Sequence, residues 1–369
     1  MYKKIVYIVK SKLHYYPPCV SQIRMIHDLG YDIDVLYGNS DESAVELLQN
    51  EKINCKKIGN IKAECQNKVD KLFDYIKFRR AVLNEMKNYD TNNTLFWFGT
   101  AETVIPLKGK LKGKKYITTF LELLDDNLLK VKLLKKISQN AIAVTVCEET
   151  RGYIMRYWWN LKKLPYVFPN KPYNFSTAKN QLPTILETKK VINKIKNKKV
   201  ILYQGIMQNT EELCEIAKAL KELNKDYVLV LMGIDKYNSV EKIKKIYDNT
   251  IYVSYIPAPY HLEITSYAHI GITFYRDDSL NKAFCAPNKI YEYSGFGIPI
   301  IANNIPGLKN TVGKYNSAEC IQLNKNNIIY AINNIENNYD TYSKNARKFF
   351  ESTDNKDTMK RLLLELNNK

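Results

Sequence analysis

Residues 285–308, reading CAPNKIYEYSGFGIPIIANNIPGL, restrict the fold more than any other stretch of the chain. Pro287 suits the first position of a helix, where its missing N–H deprives no partner. Neither Cys285 nor Ala286 is a good capping residue, so the first N–H groups of that helix are left without an obvious side-chain acceptor. The positive end of the helix is therefore free for an anion, most naturally a phosphate. Asn288, Lys289 and Glu292 are spaced to share one side of the helix. Gly295 and Gly297 end it, residues 298–302 read as a buried strand, and Pro306-Gly307 as a turn. An ordinary helix–turn–strand of an α/β core would show the same pattern, so the phosphate site is one of two readings open at this point.

The rest of the chain repeats this alternation. Residues 5–9 form an apolar strand, 19–29 a helix closed by Gly30, and 32–37 a second strand, the spacing of a parallel crossover unit. Further strands are expected at 54–58, 94–98, 116–120 and 141–147. A long helix is expected over 69–88, with Leu72, Ile76, Val82, Leu83 and Met86 as its apolar side and a basic cluster at Lys77, Arg79 and Arg80. A second series follows: strands at 200–203, 227–232, 251–254 and 269–275, with a helix over 209–223 between the first two. A last strand over 318–323 precedes helices at 326–337, 342–350 and 356–366. Two such series, split near the Pro-Asn-Lys-Pro run at 169–172, give an α/β chain with two Rossmann-like domains built on parallel sheets. At 369 residues the chain is long for one core and sufficient for two.

Charge adds one constraint. Lys and Arg number 56 against 38 Asp and Glu, a formal +18, so an anionic partner is expected: a nucleotide sugar, a phospholipid surface or nucleic acid. The lysines are scattered and no nucleic-acid-binding motif accompanies them, which argues against the last. Residues 127–138, NLLKVKLLKKIS, could lie on an anionic membrane or face a core with lysines outward. No run of about 18 uncharged apolar residues reads as a spanning helix. Seven scattered cysteines without a CxxC pair fit a reduced, cytoplasmic chain, with attachment at the inner face of the membrane left open. His14, His27, His261 and His269 show no ligand spacing with the cysteines, so no metal is expected.

The run PNKIYEYSGFGIPII resembles the nucleotide-sugar-binding signature of GT-B glycosyltransferases, especially the retaining family 4 group, and VCEETRGYIMRYWWNLKKLPYVFPNKP resembles the end of their first domain. The resemblance implies that the two domains face a cleft, with residues 1–172 on the acceptor side, 173–196 as a linker, 197–340 binding the nucleotide sugar, and helices over 341–369 returning to the first domain. It implies that Gly205 and the helix start at Asn288 and Lys289 meet the donor diphosphate, that Glu292 contacts the ribose, and that the backbone near Ile256 holds the base. It also implies a nucleotide sugar as substrate, a saccharide or lipid-linked acceptor, a role in cell-surface polysaccharide synthesis, and no metal.

Three positions depart from the pattern. Phe284 stands where the family's Glu-x7-Glu pair has its first glutamate, and Leu121 where a histidine usually precedes Glu122. After Gly205 no cation follows until Lys218, so Lys289 is the candidate to supply the missing charge. Glu122, at the C-terminal end of a strand, is the candidate catalytic or acceptor-positioning carboxylate, although a helix-start carboxylate would look the same. His14, Tyr15 and Tyr16 are candidate acceptor contacts. A non-catalytic partner subunit and a nucleotide-sugar epimerase remain the alternatives.

Overall fold

The computed structural model describes residues 2–40, 42–59, 61, 67–208, 210–223 and 227–368. The chain divides into two units, one made of Met1–Tyr173, Ser279–Asn281 and Asp354–Lys369, the other of Asn174–Asp278 and Lys282–Thr353.

In the first unit the apolar runs become β1 (Lys4–Lys12), β2 (Asp32–Asn39), β3 (Asn54–Lys57), β4 (Thr94–Phe98), β5 (Tyr116–Phe120), β6 (Ala143–Val146) and β7 (Tyr166–Val167). Among the described residues they form one seven-stranded sheet in the order β3-β2-β1-β4-β5-β6-β7. Every pair is parallel. Both faces are covered, as an all-parallel sheet requires. One face packs Val6, Ile8, Phe96 and Phe98 against Phe78, Val82 and Trp159. The other packs Ile5, Tyr7 and Trp97 against Ile23 and Ile26 and against Met359, Leu362 and Leu363 of the C-terminal helix Asn355–Asn367.

The second unit carries β8 (Lys199–Gln204), β9 (Tyr227–Met232), β10 (Thr250–Val253), β11 (Ala268–Thr273), β12 (Ile300–Asn303) and β13 (Ala318–Ile321). They form a six-stranded sheet in the order β10-β9-β8-β11-β12-β13, again parallel throughout. In each unit the strand order reverses beside its first strand, at β1/β4 and at β8/β11. Ligands of open α/β sheets bind outside the carboxyl ends of the strands at such a switch point.

The α/β class and the two parallel sheets are those expected from the sequence. Several details differ. Of residues 173–196, expected as a linker, Tyr173 belongs to the first unit and 174–196 to the second, where helix Leu186–Ile195 buries Ile192 and Ile195 against Val200. The C-terminal helices part company: Tyr339–Glu351 packs in the second unit and Asn355–Asn367 in the first. Helix Lys68–Glu85 turns Phe78 and Val82 inward and leaves Leu72 and Ile76 exposed. Its sequence is apolar on two sides, so spacing alone did not say which side the core takes. Helix Leu128–Asn140 faces the core through Leu134 and Ile137, with Leu128 and Leu129 outside. Among the described residues no helix is long and apolar enough to cross a membrane. The expected helix start at Asn209 lies outside the described residues; the helix is described from Thr210 to Leu223.

Candidate anion site at the second switch point

Helix Asn288–Gly295 starts one residue later than expected. Pro287 is its cap, with φ −71° and ψ 143°, an extended conformation that precedes the helix. No side chain caps this end. The helix lies close on the sheet because Gly271 of β11 leaves room for the Tyr293 ring: a Cβ there would stand 2.5 Å from a ring carbon. The Tyr293 hydroxyl donates to the carbonyl of Leu202 on β8 at 3.2 Å. Gly295 ends the helix, and Gly297, at φ +67°, takes the left-handed turn that returns the chain to β12.

This packing carries Lys289 to the switch point. Its ammonium stands 4.6 Å from the ring centre of Tyr203 on β8 and 5.5 Å from that of Tyr275, just past β11. Both distances lie within the range of cation–π attraction. The residue is only 9% exposed. Among the described residues its ammonium has no hydrogen bond and no ion pair. Burial lowers its pKa from 10.5 to about 8, and the nearby Glu292 and Cys285 oppose that shift only in part. A buried cation without a partner is unfavourable unless an anion joins it.

Gly205 makes the space. It has φ +133°, and a Cβ on it would lie 3.2 Å from the Lys289 ammonium nitrogen. Its own N–H is already used, donating to Met232 O at 2.9 Å. Gly205 therefore contributes access rather than a donor. Gly233, the equivalent residue after β9, has φ +139°, and a Cβ there would sit 2.1 Å from the Gly205 carbonyl oxygen. Two strand ends thus approach each other at a distance that only glycine permits at position 233.

Glu292, 5% exposed, is held from two sides. The Gln204 side-chain amide donates to its Oε2, and His261 Nε2 lies 3.4 Å from its Oε1. Thr265 Oγ1 orients Gln204 in turn, donating to its Oε1 at 2.8 Å. An ionised carboxylate has about four acceptor positions, so capacity for ligand hydroxyls remains. Asn288 is half-buried at the helix start, and its side chain has no hydrogen-bond partner among the described residues. Gly205, Asn288, Lys289 and Glu292 are therefore gathered in one unit. Gln204, His261, Tyr203 and Tyr275 belong to the same cluster and were not anticipated. No motif marks them, because they meet only through the β8/β11 pairing and the fold of one helix over it.

Glu122 lies in the other unit, exposed just beyond β5, and its carboxylate has no hydrogen bond or ion pair among the described residues. Its loop is fixed from below. The buried Arg151 donates to the Leu121 carbonyl and, at 2.6 Å, to Asn281 O. Asp125 accepts from the N–H groups of Leu280 and Asn281 at 2.7 and 3.2 Å. Tyr16, from the aromatic loop after β1, has its hydroxyl pushed up to about 12, chiefly by burial and then by the carboxylates of Glu102 and Glu122. Among the described residues no group of three or more His, Cys, Asp or Glu side chains could hold a metal ion.

No protein-family model matches the chain, and no curated protein matches it. Solved structures do. Sucrose-phosphate synthase from Thermosynechococcus elongatus is 15% identical, over 99% of this chain and 98% of its own, with a TM-score of 0.72. HepE from Anabaena, in complex with UDP-glucose, is 12% identical over 99% of both chains, with a TM-score of 0.73. A glycosyltransferase from Rickettsia africae is 14% identical over 99% of this chain and 97% of its own, with a TM-score of 0.69. At such identities the likeness is one of fold, and that fold is the GT-B fold of glycosyltransferases.

Proposed function

We propose that the chain is a glycosyltransferase that moves a sugar from a nucleoside diphosphate sugar to a saccharide or lipid-linked acceptor, with retention of anomeric configuration, in the synthesis of cell-surface polysaccharide. The observation that carries this reading is the Lys289 ammonium, buried over Gly205 at an uncapped helix start, with no anion bonded to it among the described residues. A diphosphate supplies the missing charge. In the reaction the bond from the sugar's C1 to the diphosphate oxygen breaks and a bond from C1 to an acceptor oxygen forms, while the acceptor's proton passes to the departing diphosphate. Negative charge grows on the leaving diphosphate, where Lys289 and the first N–H groups of the helix stabilise it electrostatically. Glu292 takes the ribose hydroxyls. Glu122 is assigned to the acceptor, as the carboxylate that receives or orients its hydroxyl. That HepE shares the fold and binds UDP-glucose supports a uridine nucleotide as the first donor to try.

The test is a thermal-shift panel of UDP, GDP, dTDP, CMP and ADP, followed by the matching sugar nucleotides and NMR of the products. One nucleotide should raise the midpoint selectively by mass action. Its sugar should then pass to an added saccharide, and Glu122→Gln should slow that transfer while leaving the nucleotide shift intact. Epimerised donor in the absence of any acceptor would replace the transferase with an epimerase. No shift with any nucleotide would leave a non-catalytic subunit.

A further inference from the structure

Helix Lys68–Glu85 has two apolar sides, and the core takes only one. Phe78 and Val82 are buried, and Asp74 beside them binds Lys10 at 2.6 Å. On the outer side Val69, Leu72, Phe73 and Ile76 are 62%, 60%, 60% and 38% exposed. At 100° per residue these four fall within an arc of about 100°. They form a solvent-facing apolar stripe rather than scattered single residues, and such a stripe marks an interaction surface. The same rotation places Lys77 on one flank of the stripe and Arg79 on the other, with Arg80 one turn further along it. Of the acidic residues of the helix, Asp74 faces inward and Glu85 is bridged to Lys56 at 2.8 Å, while Asp70, in the first turn, falls about 20° beyond Lys77 on the same flank, so the three cations outnumber the one acid beside the stripe.

We infer that this face docks the first unit on an anionic lipid surface. Four apolar side chains, two of them Leu and Phe at adjacent positions, enter the boundary between headgroups and acyl chains, and the flanking cations meet lipid phosphates. The charge decides between occupants. A second copy of this chain would bring the same cations against themselves, and the chain as a whole carries +18, so self-association through this face is opposed where an anionic bilayer is attracted. Helix Leu128–Asn140, the basic helix singled out by sequence, is less suited, because only Leu128 and Leu129 of its apolar residues are markedly exposed. The inference is independent of sugar transfer and stands or falls without it.

The experiment is co-sedimentation of the full chain with vesicles of phosphatidylcholine alone and of phosphatidylcholine with an equal part of phosphatidylglycerol. Binding to the anionic vesicles should exceed binding to the neutral ones at least tenfold and fall with salt. Leu72→Glu with Phe73→Glu should reduce it at least tenfold, and Lys77→Gln with Arg79→Gln and Arg80→Gln should bring it near the neutral level. The substituted side chains are exposed or flank the stripe, so the thermal midpoint should change little. Leu128→Ser with Leu129→Ser should leave vesicle binding intact. Undiminished binding of the Leu72/Phe73 variant overturns the proposal, as does loss in the Leu128/Leu129 variant. Equal binding to both vesicle types removes the lipid-charge argument. No vesicle binding, with light scattering showing a dimer that Leu72→Glu dissolves, assigns the face to a second copy.

Discussion

The two switch points are built alike and finished differently. In the first unit β1 runs out past Lys10, and Gly38 of β2 comes so close that a Cβ would meet the Lys10 carbonyl oxygen at 2.1 Å. In the second unit β8 runs into Gly205, and Gly233 after β9 stands in the same relation at the same 2.1 Å. Each switch point also holds a buried lysine. Lys10 has its counterion within the unit, with its ammonium 2.6 Å from Asp74. Its neighbourhood is filled: the Lys10 N–H donates to Thr103 Oγ1 at 2.9 Å, and Cys19 Sγ donates to the Gly99 carbonyl at 3.3 Å. Lys289 has rings beneath it and a glycine beside it, while the nearby carboxylate of Glu292 is engaged by Gln204 and His261. One unit has neutralised its buried cation, and in the other no acid among the described residues lies within bonding distance of it. A shared architecture therefore does not imply a shared use, and the difference rests on which lysine has an acid within bonding distance.

The comparison can be broken at either end. The largest effect should come from the first unit. Asp74→Ala leaves Lys10 buried and unpaired, and breaking a buried pair in this way costs about 3–5 kcal/mol. Chemical denaturation should show that loss, and Asp74→Asn should recover part of it through a neutral hydrogen bond. A loss under 1 kcal/mol would mean that Lys10 is not the closed counterpart of Lys289. Lys289→Met should do the reverse. It removes an uncompensated buried charge, so the free protein should be as stable as before or more so. Nucleotide affinity, however, should fall by about 10- to 100-fold, the value of one charged hydrogen bond of roughly 1.5–3 kcal/mol. Calorimetric titration with the nucleotide selected by the thermal-shift panel measures it. A variant that binds nucleotide normally would show that the anion sits elsewhere.

How much of this was legible in the sequence follows from the range of the interactions. The strand–helix alternation is local, and both parallel sheets could be read from it. So could helix Asn288–Gly295 with its glycine stop, because cap, polar face and terminator lie within a few residues of one another. Lys289 and Glu292 were picked out on helical spacing. What held them was not readable. Tyr203 and Tyr275 become neighbours only when β11 pairs with β8, and His261 reaches Glu292 from a helix 31 positions upstream (292 − 261). The inward face of helix Lys68–Glu85 was legible only toward its C-terminal end, where Val82, Leu83 and Met86 meet the core; toward its start the sheet it packs on selects Phe78 and leaves Leu72 and Ile76 outside. Residues 174–196 looked like a linker because they are polar, yet Thr184 and Thr188 bind the buried Glu263 and tie the segment to the second unit.

The smallest effect is the one that isolates Lys289 without replacing it. Its pKa of about 8 in the folded chain lies below its ordinary value of 10.5. Below pH 8 both the folded and the unfolded chain carry the proton, and the full penalty of burying the charge is present. Between about pH 8 and 10.5 the unfolded chain keeps the proton that the folded chain has released. While the thiols of Cys19, raised by burial to about 12, and of Cys55 and Cys320, each raised to about 11, contribute a fall in stability above pH 9, Lys289 contributes a rise across its window, by at most about 1.4 kcal/mol per pH unit for one proton. Lys179 is also lowered to about 8 by burial, and it contributes in the same direction. The two can be told apart because Lys179 already donates to the Ala268 carbonyl, at 2.6 Å, and has no place in the proposed nucleotide contact. An anion bound at Lys289 holds the proton on, so nucleotide affinity should decline as pH rises through 8, while the Lys289 contribution to the stability of the free protein increases. In Lys289→Met the slope of stability against pH should lose the share of Lys289 and keep those of Lys179 and the three thiols, and the residual affinity should lose its decline above pH 8. Parallel denaturation and calorimetry between pH 7 and 10 would show both. An affinity that stays flat in the unsubstituted chain would mean that the charge on Lys289 is not what the nucleotide meets, and the contrast with the neutralised Lys10 would then be one of packing alone.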